Sequence, residues 1–194
     1  LWNTVINPPF ESELDFEDSF LNGNASLSYN YDRDTTLYAS YGVGSKTGGF
    51  AESAEVTSGD PSLDVSEGGA RVKSEEAHTY EAGAKLVLLD QSVNLNAAIF
   101  YTEIFDFQET SFLVTDSSAG FLTQNVDVES TGFELDSLYQ INDDWRISAA
   151  VTYADSVHKD DGSDLAQAPK WTGNVGYSYI TELGVKDLLL LSSG

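Results

Sequence analysis

The chain has no cysteine and no methionine, and its nine Lys and Arg are set against 32 Asp and Glu. Without cysteine there is no disulfide framework and no thiolate metal site. A formal charge of −23 excludes nucleic acid as a partner, because the phosphate backbone would repel such a surface. No apolar run approaches the ~18 residues that a membrane-spanning helix needs. His78 and His158 are the two histidines. They stand far apart, with no Asp or Glu at ligand spacing, so no metal site and no cofactor is expected. No nucleophile–base pattern stands out either, and the chain does not read as an enzyme. It begins "LWNTVINPPF", with neither an initiator methionine nor a signal peptide, and so reads as an internal piece of a longer protein.

One glycine-rich stretch invites a phosphate-binding reading and fails it. "YGVGSKTGGF" (41–50) lacks the spacing of a P-loop: Ser45 separates Gly44 from Lys46, and Ala39 stands where the first glycine belongs. In the dinucleotide pattern the third glycine is replaced by Thr47. The polar, Gly- and Pro-containing segment that follows has no helical stripe to aim an N-terminus at an anion. "DDGSD" (160–164) is equally incomplete as an EF-hand loop, since the spacing and the closing Glu are missing.

What is present is strict alternation of period two. "VNLNAAIFYT" (93–102) places Val93, Leu95, Ala97, Ile99 and Tyr101 on one face and Asn94, Asn96, Ala98, Phe100 and Thr102 on the other. "WRISAAVTYA" (145–154) and "TYEAGAKLVLL" (79–89) repeat the scheme. Strands are expected at about 25–32, 36–43, 77–88, 93–104, 125–139, 145–155 and 171–180, with no helix. The fold class is all-β: an antiparallel up-and-down meander of about seven strands, part of a larger transmembrane barrel.

The connections support a barrel over a sandwich. Short Asp/Asn-rich turns at 31–35, 89–92 and 140–144 alternate with long polar connections at about 44–76, 106–124 and 155–169. Outer-membrane barrels have short turns at one end and long loops at the other. The long connections are acidic, with seven acidic residues and three basic ones (Lys46, Arg71, Lys73) in 44–76. Trp145 and Tyr153 lie on one apolar face, separated by roughly 26 Å of strand. At a tilt of about 40° this projects to roughly 20 Å, close to the ~25 Å apolar band between aromatic girdles. Tyr101, Tyr139 and Tyr177 are placed to join them as lipid-interface aromatics. On the opposite face stand Glu81, Lys85, Glu134 and Asp136, candidates for a polar lumen. Glu81 and Lys85 are roughly 13 Å apart along one strand, so their partners must come from neighbouring strands.

Four stretches, in order, resemble the β-barrel of TonB-dependent outer-membrane receptors. "SLSYNYDRDTTLYASYGVGSKTGGF" (26–50) resembles a hairpin that ends in Tyr-Ala-Ser and a Gly-Gly-Phe segment. "EEAHTYEAGAKLVLLDQSVNLNAAIFYTEIFDFQ" (75–108) carries Tyr-Glu-x-Gly-x-Lys, and "NVDVESTGFELDSLYQINDDWRISAAVTYADS" (125–156) carries Gly-Phe-Glu-Leu. "LAQAPKWTGNVGYSY" (165–179) resembles an Ala-Pro strand entry.

The resemblance implies one part of a ~22-stranded barrel in the outer membrane of a Gram-negative bacterium. It also implies that lipid surrounds the barrel and that the TonB complex energises it through a plug domain that this chain lacks. The ligand class is scarce and large, commonly a ferric siderophore. The acidity of the loops does not favour an anionic complex, which leaves the ligand open. The alternatives are a passive porin-like barrel and a secreted acidic β-sandwich that binds calcium or glycans. In the barrel reading Gly42, Gly44, Gly48 and Gly49 let the strand leave its ladder, and Lys46 is a solvated loop cation. The final "GVKDLLLLSSG" breaks the alternation and does not read as a barrel strand.

Overall fold

A computed structural model describes residues 17–51, 70–114, 119–182 and 189–193. These residues form ten strands: β1 (Gly23–Asn30), β2 (Thr35–Lys46), β3 (Gly49–Ala51), β4 (Ala70–Val72), β5 (Glu75–Leu88), β6 (Val93–Val114), β7 (Ala119–Gln140), β8 (Trp145–His158), β9 (Trp171–Glu182) and β10 (Leu189–Ser193). Eight of them make one antiparallel sheet in the order β1-β2-β5-β6-β7-β8-β9-β10, and β3 pairs with β4 in a short separate hairpin. Each main strand therefore lies beside its neighbour in sequence, apart from the β3–β4 excursion.

Side-chain chemistry fixes the turns. Asp32 Oδ1 accepts from the Asp34 amide at 2.8 Å, and Asn142 Oδ1 accepts from the amides of Asp144 (3.0 Å) and Trp145 (2.8 Å). Such local caps compete well with a continued ladder and end it. Between β5 and β6, Leu89, Asp90 and Gln91 all take positive φ, and Ser92 closes the turn on the Leu89 carbonyl.

Among the described residues the sheet has no second layer on which to build a core. Among the described residues Val72 and Val128 are the buried hydrophobic side chains, while Leu27 (75% exposed), Ile99 (65%) and Val175 (78%) are open. A sandwich of this length would bury the inner faces of two sheets about 10 Å apart. The β-sandwich alternative is excluded on this ground: the described residues form a single wall with two uncovered faces.

Four expectations need correction. Residues 106–114 and 119–124 are strand, not loop; β6 and β7 continue pairing to Val114 and Ala119, past a bulge between Ile104 and Phe107 where Asp106 has φ 53°. Gly42 and Gly44 remain in the ladder, opposite Thr79 and Ala77. Lys46 closes β2 instead of lying in a loop, and its Nζ, still exposed, meets Glu75 Oε1 at 2.9 Å. Leu189–Ser193 pairs with β9 despite its broken alternation, since backbone pairing does not require a two-sided pattern.

Candidate functional site: a two-faced barrel wall

The register carries one parity of side chains across the whole sheet. On one face Tyr41, Tyr80 and Tyr101 follow each other from β2 to β6 as direct partners, with ring centroids 4.9 Å and 6.4 Å apart. Phe133, Tyr153 and Trp171 continue this belt across β7, β8 and β9. Their centroids are 5.8 Å (Phe133–Tyr153) and 4.8 Å (Tyr153–Trp171) apart. Towards the short turns the same face carries Tyr139, Trp145, Tyr177 and Tyr179. Trp145 lies 4.6 Å from Tyr179 and 6.0 Å from Tyr177.

Between the two belts lie Leu37, Ala39, Ala82, Ala84, Leu86, Leu95, Ala97, Leu135, Val151 and Val175, with no charge among them. Of the five interface aromatics expected from sequence, Tyr101 and Tyr153 sit in the loop-end belt and Tyr139, Trp145 and Tyr177 in the turn-end belt. The sequence reading missed Tyr41, Tyr80, Phe133 and Trp171. The period-two pattern contained them, but cross-strand register was needed to show that they stack.

Charge returns just beyond the loop-end belt. His78 Nδ1 lies 2.7 Å from Tyr41 Oη and its Nε2 lies 2.7 Å from Glu76 Oε1. Tyr101 Oη donates to Glu129 at 3.0 Å, and Lys159 Nζ reaches Glu103 at 2.7 Å. Lys170 bridges Asp155 (2.9 Å) and Asp164 (3.0 Å), and those two carboxylates raise its pKa above the usual lysine range. Aromatics flanked by ion pairs on the outer side match the edge of an apolar band.

The opposite face is polar, and it brings the four sequence candidates into one neighbourhood. Tyr38 Oη donates to Glu81 Oε1 at 2.6 Å, and Lys85 Nζ lies 5.8 Å from the Tyr38 ring centre. Asn96, opposite Lys85 in the ladder, donates to Asp136 Oδ1 at 2.9 Å. Glu134 shares this face, opposite Ala98, which is itself opposite Gly83. The partners come from neighbouring strands, as the 13 Å spacing requires. Tyr38 was not foreseen; it lay in a weakly alternating segment without a charged neighbour.

Two glycines shape this face. A Cβ on Gly83 would lie 2.6 Å from the Ala97 carbonyl oxygen and 2.7 Å from the Tyr38 ring. On Gly132 it would lie 2.0 Å from the Tyr153 carbonyl oxygen and 2.6 Å from the Phe100 ring. Each glycine lets an aromatic from the next strand lie flat across the polar face. This gives physical content to both Tyr-Glu-x-Gly (80–83) and Gly-Phe-Glu-Leu (132–135). In each, the aromatic joins the outer belt, the Glu points to the polar face, and the glycine makes room for a neighbour's ring.

Compared with known proteins, this wall matches one family over nearly all its length. The model described as TonB dependent receptor-like, beta-barrel covers residues 3–192. The chain belongs to the TonB-dependent receptors. That family places it in the outer membrane of a Gram-negative bacterium and among receptors, not enzymes. The Acinetobacter baumannii protein named "Probable TonB-dependent siderophore receptor PiuA" is 32% identical over 137 residues, which is 71% of this chain and 17% of that protein. The ferrioxamine B receptor of Salmonella typhimurium is 23% identical over 97% of this chain and 25% of its own length. Among solved structures, the ferric yersiniabactin uptake receptor FyuA of Yersinia pestis superposes with a TM-score of 0.63. Its sequence identity is 18%, covering 88% of this chain and 24% of FyuA. The chain thus spans a quarter or less of the length of these curated relatives.

Proposed function

We propose that this TonB-dependent receptor wall belongs to a transporter that takes up a ferric siderophore, with the TonB complex supplying energy through a plug domain. Its polar face, with Glu81, Lys85, Glu134 and Asp136, lines the lumen towards plug or ligand. Its apolar face meets outer-membrane lipid. Tyr101 and Tyr153 lie at the outer interface and Tyr139, Trp145 and Tyr177 at the periplasmic one. The observation that carries this reading is the uncovered wall itself: one face apolar between two aromatic belts, the other polar and cross-linked by Tyr38–Glu81 and Asn96–Asp136. An apolar exterior and a wet interior are what a lipid-embedded barrel needs. The relatives named as siderophore and ferrioxamine B receptors support the substrate class.

The test is transport in the source bacterium, with and without the gene, under iron limitation. The account expects saturable uptake of radiolabelled iron from at least one ferric hydroxamate or catecholate, lost when either the gene or TonB is removed. Gene-dependent uptake that persists without TonB would contradict energy coupling and indicate a passive pore. Absence of uptake from every ferric chelate would contradict the substrate class.

A further inference from the structure

The β6–β7 hairpin does more than extend the ladder. Beyond the bulge at Asp106, Gln108 and Asn125 face each other as direct partners, and both turn their amides onto the two chain segments that carry the outer loop. Gln108 Nε2 donates to the carbonyls of Thr47 and Lys73, each at 3.1 Å. Asn125 Oδ1 accepts from the Lys73 amide at 2.8 Å, while its Nδ2 donates to the Lys73 carbonyl (3.1 Å) and the Asp106 carbonyl (2.6 Å). Two side-chain amides thus satisfy backbone groups on both the outgoing and the returning strand of one loop.

The surroundings reinforce this arrangement. The Gln108 amide donates to Glu75 Oε1 at 2.7 Å, the same oxygen that meets Lys46. Lys73 Nζ reaches Asp106 Oδ1 at 2.9 Å. The Asp106 amide is held in turn by Asp127 Oδ1 at 3.0 Å, which pins the bulge that sets the register of the two amides. The Gly48 amide donates to Ser74 Oγ at 2.8 Å, and a Cβ on Gly48 would stand 2.3 Å from the Val72 carbonyl oxygen. Val72 beside it is one of the two buried apolar side chains among the described residues. Thr47 and Lys73 are themselves exposed, yet their backbone groups are paired with the neighbouring hairpin.

We propose that Gln108 and Asn125 form an amide clamp that fixes the base of the outer loop, residues 47–51 and 70–74, to the β6–β7 hairpin. They are positioning residues: the hairpin is the strut from which the loop is presented at the mouth of the barrel. The uptake role rests on the transport reading above; the clamp itself does not.

Hydrogen exchange on the purified full-length receptor in detergent separates the two. The double variant Gln108→Ala/Asn125→Ala is compared with wild type, with mid-strand amides of β5 and β6 as internal controls. Exchange across 47–51 and 70–74 is expected to rise at least tenfold while Tyr80–Ala84 and Leu95–Ile99 keep their protection. Gln108→Glu, which keeps the shape but loses both donors, should reproduce the Thr47 and Lys73 effects. Unchanged exchange at the loop base in both variants would overturn the proposal, and so would a loss of protection that spreads equally into β5 and β6. In cells, with ferrioxamine B iron as the probe, the half-saturation concentration should rise severalfold with the maximal rate within about twofold. A fall in maximal rate alone would contradict a positioning role. A wild-type receptor that takes up no iron would end the transport reading and leave exchange to decide the clamp.

Discussion

At the scale of single residues, two glycines make the sharpest demand on the sequence. Gly132 sits where a methyl group would run into the Tyr153 carbonyl oxygen and the Phe100 ring. A backbone atom cannot step aside as a flexible side chain does, so Gly132→Ala should destabilise the barrel by about 1–3 kcal/mol, the range for forced overpacking. Gly44 has nothing within 4 Å of its would-be Cβ, and Gly44→Ala should instead stabilise by roughly 0.4–1 kcal/mol through the unfolded chain. Urea titration of the two purified variants, followed by heat-modified migration, checks the contrast. Equal midpoints would show that the ring–glycine packing contributes nothing. The glycines were legible in the sequence, but the reason for them was not. Alternation says which face a residue occupies; only the register says that Tyr38 crosses Gly83 and that Phe100 crosses Gly132.

At the scale of elements, the outer ends of the strands are tied to one another, and one tie titrates. His158 Nε2 lies 3.2 Å from Glu109 Oε1, and its Nδ1 lies 3.2 Å from the Ser163 carbonyl oxygen. The pair joins the outer end of β8 to the β6–β7 hairpin, and both side chains are largely covered. Burial works against the imidazolium, but the Ser163 carbonyl and the Glu109 and Asp161 carboxylates outweigh it, so the pKa is raised above the ordinary 6.5. A raised folded-state pKa contributes stability that is fully present below the unfolded value and is lost as pH rises through the folded value. The amides of residues 159–165 should therefore be best protected below about pH 6.5. Protection should weaken above that pH, and His158→Gln should flatten the profile. An increase in protection with rising pH would contradict the assignment.

The same elements show where reading the sequence stopped. Residues 106–124 are polar and acidic enough to resemble a loop, and the bulge at Asp106 shifts the alternation by one residue. The pattern that would have revealed a strand was thus broken at its midpoint. Gln108 and Glu109 went unnoticed for the same reason, and Asn125, inside an expected strand, carries no signal until its partners are known.

At the scale of the whole molecule, the strand order and the family were legible, because each depends on local chemistry that repeats; the expected alternation of short and long connections failed at β6–β7, which pair out to Val114 and Ala119. Period-two faces, Asx-capped turns and glycine–aromatic pairings recur strand after strand. The absence of a core among the described residues follows from the same pattern. The described part of a chain with ten Tyr, ten Phe and three Trp leaves many large apolar side chains on an open face, and the proposed function sets outer-membrane lipid against it.

The most direct measurement of this claim uses the chain's lack of cysteine. In the full receptor, in a background free of other cysteines, residues 171–180 are replaced by cysteine one at a time in native outer membranes. Each variant is then probed with a water-soluble maleimide and with a lipid-borne nitroxide quencher. Lipid contact should appear at 173, 175 and 177 and water contact at 172, 174, 176 and 178, with the lipid signal fading at Trp171 and Tyr179. Lipid contact at the even positions, or none between the belts, would contradict the account.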